Sequence, residues 1–146
     1  MSKTGWIDEP LYLKIKQVMP LPCVDLLIVN KGRLLLMKRT NTPAKGLWFT
    51  PGGGIFKGES LEAAVKRVLV EETGLVLDSF EQVGAMSHDW AEVQTITMFY
   101  NVYVSADKPE MNEEHDDYKW IEEVDDGIHP IIVYMIKNSD IFLPNN

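Results

Sequence analysis

Apolar positions along the chain follow two periods, and the change from one to the other places the main elements. Cys23–Asn30 is a largely apolar run, Lys31-Gly32 reads as a tight turn, and Arg33–Arg39 returns as its partner, so a β-hairpin is predicted. From Gln94 to Ser105 the pattern alternates strictly. Ile96, Met98, Tyr100, Val102 and Val104 fall on one side, and Thr95, Thr97, Phe99, Asn101 and Tyr103 on the other. Between these stretches, Leu61, Ala64, Val65, Val68 and Leu69 recur at helical spacing. Ser60 is a suitable N-cap, Glu62 puts an anion in the first turn where the helix dipole favours it, and Gly74 is a stop. A helix is therefore predicted over about Leu61–Thr73.

Shorter segments complete the pattern. A short pairing segment is expected around Leu11–Val18 and strand-like stretches at Leu75–Leu77, Gln82–His88 and Tyr118–Ile121, while Leu47–Thr50 is short and apolar. Pro130 suits the first turn of a final helix, about Ile131–Asn138. Thr40–Gly46 reads as a loop, and Pro51–Gly54 is the strongest backbone punctuation in the chain. One helix set between strands, with a second at the end, predicts an α/β (α+β) arrangement with a mixed sheet held between helices. No linker, repeat or low-complexity stretch interrupts it, so residues 1–146 read as one domain.

Composition narrows the function classes. Apolar residues make up 45% and charged residues 25%, an ordinary globular mix. No apolar run approaches the roughly 20 residues of a membrane span, and no secretory leader precedes Pro10, so no membrane partner is expected. The single Cys23 has no internal disulfide partner, which points to a reducing, cytoplasmic setting. The formal net charge is −8, which disfavours nucleic-acid binding because no excess of Lys and Arg is available to replace counterions. A polyanionic small molecule would need a bound cation as a bridge, which turns the acidic clusters into candidate metal sites.

The chemistry concentrates in Gly53–Leu75, GGIFKGESLEAAVKRVLVEETGL. A glycine loop lets the backbone approach a phosphate or a metal closely. It leads into a helix with Glu71 and Glu72 near its end and Glu59 just before its start. Hard oxygen ligands suit Mg²⁺, with Mn²⁺ as the alternative ion. Arg67 lies one turn before Glu71 and can hold its orientation.

This segment resembles the Nudix box: G, five residues, E, seven residues, R-E-U, one residue, E-E, one residue, G-U, with U bulky and aliphatic. Gly53, Glu59, Arg67, Leu69, Glu71, Glu72, Gly74 and Leu75 match at that spacing, and Val68 stands where the box has Glu. The resemblance implies the Nudix α/β/α sandwich around a mixed sheet and a hydrolase acting on a nucleoside diphosphate derivative. Position 68 lies one turn before Glu72 on the same face. Val68 can neither bind a metal nor take a proton from water, so fewer ions or another base is expected.

One branch that departs at the same position is GDP-mannose mannosyl hydrolase, and several further segments are similar to it. These are Lys38-Arg39-Thr40-Asn41 with Pro43-Ala44 and Gly46, Trp48-Phe49, Pro51-Gly52-Gly53, Leu61–Ala64, and Glu114-His115-Asp116-Asp117-Tyr118 with Trp120. This likeness implies water attack at the sugar C1 of GDP-mannose, with GDP as leaving group. By it, His115 is the general base, Arg39 contacts the diphosphate, and Gly52, Glu72 and Glu114 hold the metal. Glu71 and Glu59 support or extend that site, and Arg67 orients them. Asp25 is a candidate contact to the sugar or to an arginine. A homodimer is also implied by this likeness alone. Two departures bear on the substrate. Gly54 replaces an arginine of the branch, and His88–Gln94 is shorter than the corresponding loop.

Outside the motif the readings stay open. His88 and His129 read as structural or exposed, with His88, beside Asp89 and Trp90, a candidate for lining a substrate pocket. Trp48, Phe49, Phe99, Tyr100 and Tyr103 read mostly as core. Cys23 reads as a small strand residue rather than a nucleophile. The alternatives to a GDP-sugar hydrolase are a Nudix pyrophosphohydrolase of nucleoside triphosphates or damaged nucleotides, attacking phosphorus, and a nucleotide-binding module without turnover.

Overall fold

A computed structural model describes residues 7–41, 44–90 and 93–142. Pro43 of the loop, and residues 91 and 92 of the shortened His88–Gln94 stretch, lie outside the described residues.

In chain order the elements are α1 (Glu9–Val18), β1 (Leu21–Asn30), β2 (Arg33–Arg39), β3 (Trp48–Phe49), β4 (Gly52–Gly54), α2 (Leu61–Thr73), β5 (Ser79–Trp90), β6 (Val93–Tyr103), β7 (His115–Ile121) and α3 (Pro130–Lys137). The seven strands form one sheet. Its main path runs β3-β2-β1-β6-β5, with β4 paired to β1 and β7 paired to β2. β1 and β6 run parallel, while the other pairs are antiparallel, so the sheet is mixed.

Both faces of this sheet are covered, which explains why β1 is largely apolar, Asp25 and Asn30 apart, rather than alternating. On one face Ala64, Val65, Val68 and Leu69 of α2 pack with Val24, Leu26, Ile28, Leu35, Met37, Tyr100 and Val102. On the other, Ile131, Ile132, Met135 and Ile136 of α3 pack with Leu27, Val29, Leu34, Leu36 and Phe99. The result is the expected α/β/α sandwich. The alternation along β6 therefore separates two cores rather than a core from solvent. Tyr103, near the strand end, is an exception and is 37% exposed.

α2 spans the predicted residues. Ser60 Oγ accepts from the Ala63 amide at 3.1 Å, and Gly74 closes the helix in the left-handed region at φ 68°.

Two expectations are corrected. Leu11–Val18 is not a pairing segment but the body of α1. Asp8 caps it, with its side chain accepting from the Leu11 amide, Glu9 sits in the first turn, and Pro10 occupies an early helical position where its missing N–H costs nothing. Leu75–Leu77 is not a strand. Leu75 instead drops into the core beneath α2.

β1 pairs with β2 only beside the hairpin turn, at Val29↔Leu34 and Asn30↔Arg33. Farther back, Cys23, Val24 and Asp25 pair with Gly54, Gly53 and Gly52. The glycine segment thus lies against the sheet, and α2 follows it directly across one sheet face.

Candidate active site

The site forms where the glycine strand meets α2. Gly52 faces Asp25 so closely that a Cβ at residue 52 would run into Asp25 Oδ1 and stand 2.8 Å from the Val24 carbonyl. Only glycine fits there. One residue on, a Cβ at Gly53 would stand 3.1 Å from Val68 Cγ2. Val68 is 1% exposed and belongs to the core. The position that carries Glu in the Nudix box is occupied here by packed hydrocarbon.

Arg67 is the hub beside it. Its Nε and Nη2 meet the two carboxylate oxygens of Glu59 at 2.6 and 2.9 Å, a bidentate pair. Nη2 also donates to the Gly54 carbonyl at 2.6 Å, and Nη1 to Glu71 Oε2 at 3.2 Å. The guanidinium lies 3.8 Å from the Phe56 ring centroid. Glu59 in turn accepts from the Phe56 amide at 3.0 Å. The Arg67 hydrogen bonds hold the Glu59 carboxyl below the usual carboxylate range, and Glu59 raises the Arg67 pKa further. This network ties the glycine strand to the end of α2. Both Glu59 oxygens are engaged by Arg67, so Glu59 is placed to orient the site.

The second carboxylate group is buried. Glu72 Oε2 lies 3.4 Å from His115 Nδ1 and accepts from Asn112 Nδ2 at 3.0 Å. Asn112 Nδ2 also donates to the Glu71 carbonyl at 3.0 Å, and Asn112 Oδ1 accepts from the Glu114 amide at 2.9 Å. Asn112 therefore joins α2 to the start of β7. Thr40 holds the same turn from β2. Its hydroxyl donates to the Glu113 carbonyl at 2.7 Å and its amide to the Glu114 carbonyl at 2.9 Å. Glu72, Glu114 and His115 are all buried. Arg39 sits opposite His115 in the β2–β7 pairing, at a register irregularity that re-aims the strand.

A cleft of about 590 Å³ opens in front of these groups. Arg39, Arg67, Glu71 and Glu72 are among its lining residues, together with largely apolar ones from α1, β1 and the β5–β6 hairpin. His115, Glu114 and Asp25 are not in its wall. His115 reaches it through Glu72, and Asp25 stands against Gly52. His88 does not line it either. Its ring packs edge-on against Trp90 at 4.3 Å, and Trp90 lines the cleft. The sequence reading missed Asn112 and the whole α1 wall. Asn112 carries no local signal, because its partners on α2 are distant in the chain. α1 did carry one, in Asp8-Glu9-Pro10.

Among the described residues, no three His, Cys, Asp or Glu side chains converge closely enough to form a metal cage by themselves. Mg²⁺ needs no such cage. It keeps several waters and takes one or two carboxylates together with substrate phosphates. Glu71 and Glu72, neighbours at the end of α2 that both line the cleft, are hard-oxygen ligands of the kind such an ion takes.

Residues 19–126 match the family model described as NUDIX domain. The low-salt glycan biosynthesis protein Agl8 of Haloferax volcanii is 36% identical over 121 residues, covering 77% of this chain and 78% of that protein. The nucleoside triphosphatase NudI of Escherichia coli is 31% identical over 112 residues, covering 68% of this chain and 79% of its own length. Among solved structures, the MutT NUDIX hydrolase of Burkholderia pseudomallei superposes with a TM-score of 0.73 at 25% identity, over 82% of this chain and 98% of that one.

Proposed function

The chain belongs to the NUDIX family of hydrolases, and on that premise we propose that it hydrolyses a GDP-sugar, GDP-mannose above all, to GDP and the free hexose. The observation that carries this reading is the buried contact between His115 and Glu72, with Val68 filling the place of a further carboxylate. With hydrocarbon at residue 68, the residue available to accept a proton beside Glu72 is an imidazole, whose pKa range suits the task at neutral pH.

In this reading water attacks C1 of the sugar. The new C1–O bond forms as the bond from C1 to the diphosphate oxygen breaks, the electron pair leaves with GDP, and the proton of the water passes by way of Glu72, which lines the cleft, to His115 behind it. Arg39 meets the diphosphate with its planar fork. Gly52, through its carbonyl, Glu72 and Glu114 would hold Mg²⁺, with Glu71 beside them. When bound, the ion supplies charge neutralisation to the leaving diphosphate. Arg67 and Glu59 are positioning residues that fix Glu71 and the glycine strand. Asp25, against Gly52 in the β1–β4 pairing, leaves no room for a side chain there. The similarity to a protein named for glycan biosynthesis supports a sugar-bearing substrate.

A second reading is favoured by the complete Glu59–Arg67–Glu71 network and by the likeness to a nucleoside triphosphatase: attack at phosphorus with a nucleotide leaving group. Hydrolysis of GDP-mannose in ¹⁸O-water with Mg²⁺ separates the two. Label in the mannose and none in GDP supports attack at carbon. Label in a phosphate overturns it.

A further inference from the structure

We infer that Asn112 is a positioning residue: its side-chain amide aims the Glu72 carboxylate at the end of α2 and so sets the affinity of the site for a divalent cation. This rests on the reading that Glu72 takes part in holding the metal.

Three groups around the amide fix which way round it sits. Oδ1 faces the Glu114 amide at 2.9 Å, and a backbone N–H can only donate. Nδ2 faces the Glu71 carbonyl and Glu72 Oε2, each at 3.0 Å, and a carbonyl and an ionised carboxylate can only accept. The reverse orientation would set donor against donor and acceptor against acceptor. One amide therefore ties the backbone of Glu71, the side chain of Glu72 and the backbone of Glu114 together. A serine hydroxyl, with one proton on a shorter arm, cannot serve both acceptors. Glu72 is buried, so its carboxylate takes hydrogen bonds from the protein in place of water, and Asn112 supplies one of them.

The same segment finishes the last turn of α2. The final carbonyls of a helix have no partner within it. Here the Leu75 amide, which in a continuing helix would meet the Glu71 carbonyl, turns to Thr73 Oγ1 at 3.1 Å. Asn112 takes up the Glu71 carbonyl instead, and the Glu110 amide takes up that of Thr73 at 2.7 Å. The turn that carries Glu71 and Glu72 is thus closed by the chain that leads into β7. With the amide removed, Glu72 keeps its place on the helix, but its carboxylate loses a contact that orients it. A ligand whose supporting hydrogen bond is lost binds its ion less tightly.

Equilibrium binding of Mn²⁺ to the full chain, followed by the EPR signal of the free ion with no substrate present, tests this. Asn112→Ala and Asn112→Ser are each expected to weaken Mn²⁺ binding roughly 10- to 100-fold. In a Glu72→Gln background, Asn112→Ala is expected to change Mn²⁺ affinity less than about twofold, because the group it acts through is gone. A merely structural role would lower thermal stability in chelator and would shift Mn²⁺ affinity equally in both backgrounds or in neither. Either of those results overturns the proposal. Because no bond is cleaved, the outcome is separable from the choice between attack at carbon and at phosphorus. Glu72→Gln binding Mn²⁺ as tightly as the wild type overturns the metal role of Glu72 and this inference with it. Weakened binding in Glu72→Gln with wild-type affinity in both Asn112 variants sinks this inference alone.

Discussion

Nδ1 of His115 stands 3.4 Å from Oε2 of Glu72, and both side chains are buried. One comes from the start of β7 and the other from the last turn of α2, and Asn112 spans the gap between their backbones. A carboxylate beside an imidazole fixes the ring's orientation. His115→Ala should therefore lower kcat by roughly 10²- to 10⁴-fold while leaving GDP affinity nearly unchanged. Near-full activity of this variant in steady-state assays removes His115 as the base.

Arg67 joins three partners that lysine cannot reach together. A guanidinium presents a rigid fork, whereas an ammonium is a point charge. Arg67→Lys is expected to lose the bidentate contact to Glu59 and the bond to Gly54, and to cost roughly 10- to 100-fold in activity or in apparent Mg²⁺ affinity. A Mg²⁺ titration of initial rates checks this, with wild-type dependence as the opposing outcome.

Gly52 has no room for a side chain. Gly52→Ala should destabilise the fold by roughly 1–3 kcal/mol, because a Cβ there strikes Asp25 Oδ1 and crowds the Val24 carbonyl. Adding Asp25→Ala removes the first clash but not the second, so the double variant should recover only part of the loss. Urea denaturation of the two single variants and the double variant measures both halves of this prediction.

Val68→Glu would put a carboxylate into the core cluster beneath the glycine strand. Burying a charge without a partner is among the most damaging single changes, and a loss of roughly 3 kcal/mol or more is expected in the absence of metal. Unchanged thermal stability in the presence of a chelator would mean that the side chain escapes into the cleft.

Stability should also fall in mild acid through His129. This residue caps α3, its Nδ1 accepting from the Ile131 amide at 3.1 Å, so the neutral ring is the capping form. Burial, and secondarily His88, lowers its pKa. A depressed folded-state pKa means the unfolded chain binds the proton first. The contribution is full above the unfolded value near ~6.5 and is lost as pH falls through the folded one. His129→Asn retains a capping side chain without the titration. Its denaturation midpoint should vary less than the wild type's between about pH 8 and pH 5.

Much of this was legible before any coordinates. The hairpin, α2 with both its caps, and the spacing of Gly53, Glu59, Arg67 and Glu71 all followed from the chain. Each depends on interactions within a few residues, or on one continuous run through a loop and a helix. The α/β/α layering followed too, once the motif was set beside the apolar runs. α1 was misread because its apolar residues are exposed on one side and face a cleft on the other, so the core pattern that marks a helix is weak there.

What the chain determined alone is local: where strands and helices start and stop, and which side chains share a helix face. The tertiary structure decided which distant groups meet. Parallel pairing of β1 with β6 and the laying of Gly52–Gly54 along β1 bring the glycine strand under α2. Pairing of β7 with β2 carries His115 and Asn112 to Glu72. The fate of Val68, core hydrocarbon against Gly53, was settled in the same way. Helical spacing is written in consecutive residues, whereas these meetings arise from burying both faces of one sheet together, which only the folded chain can do.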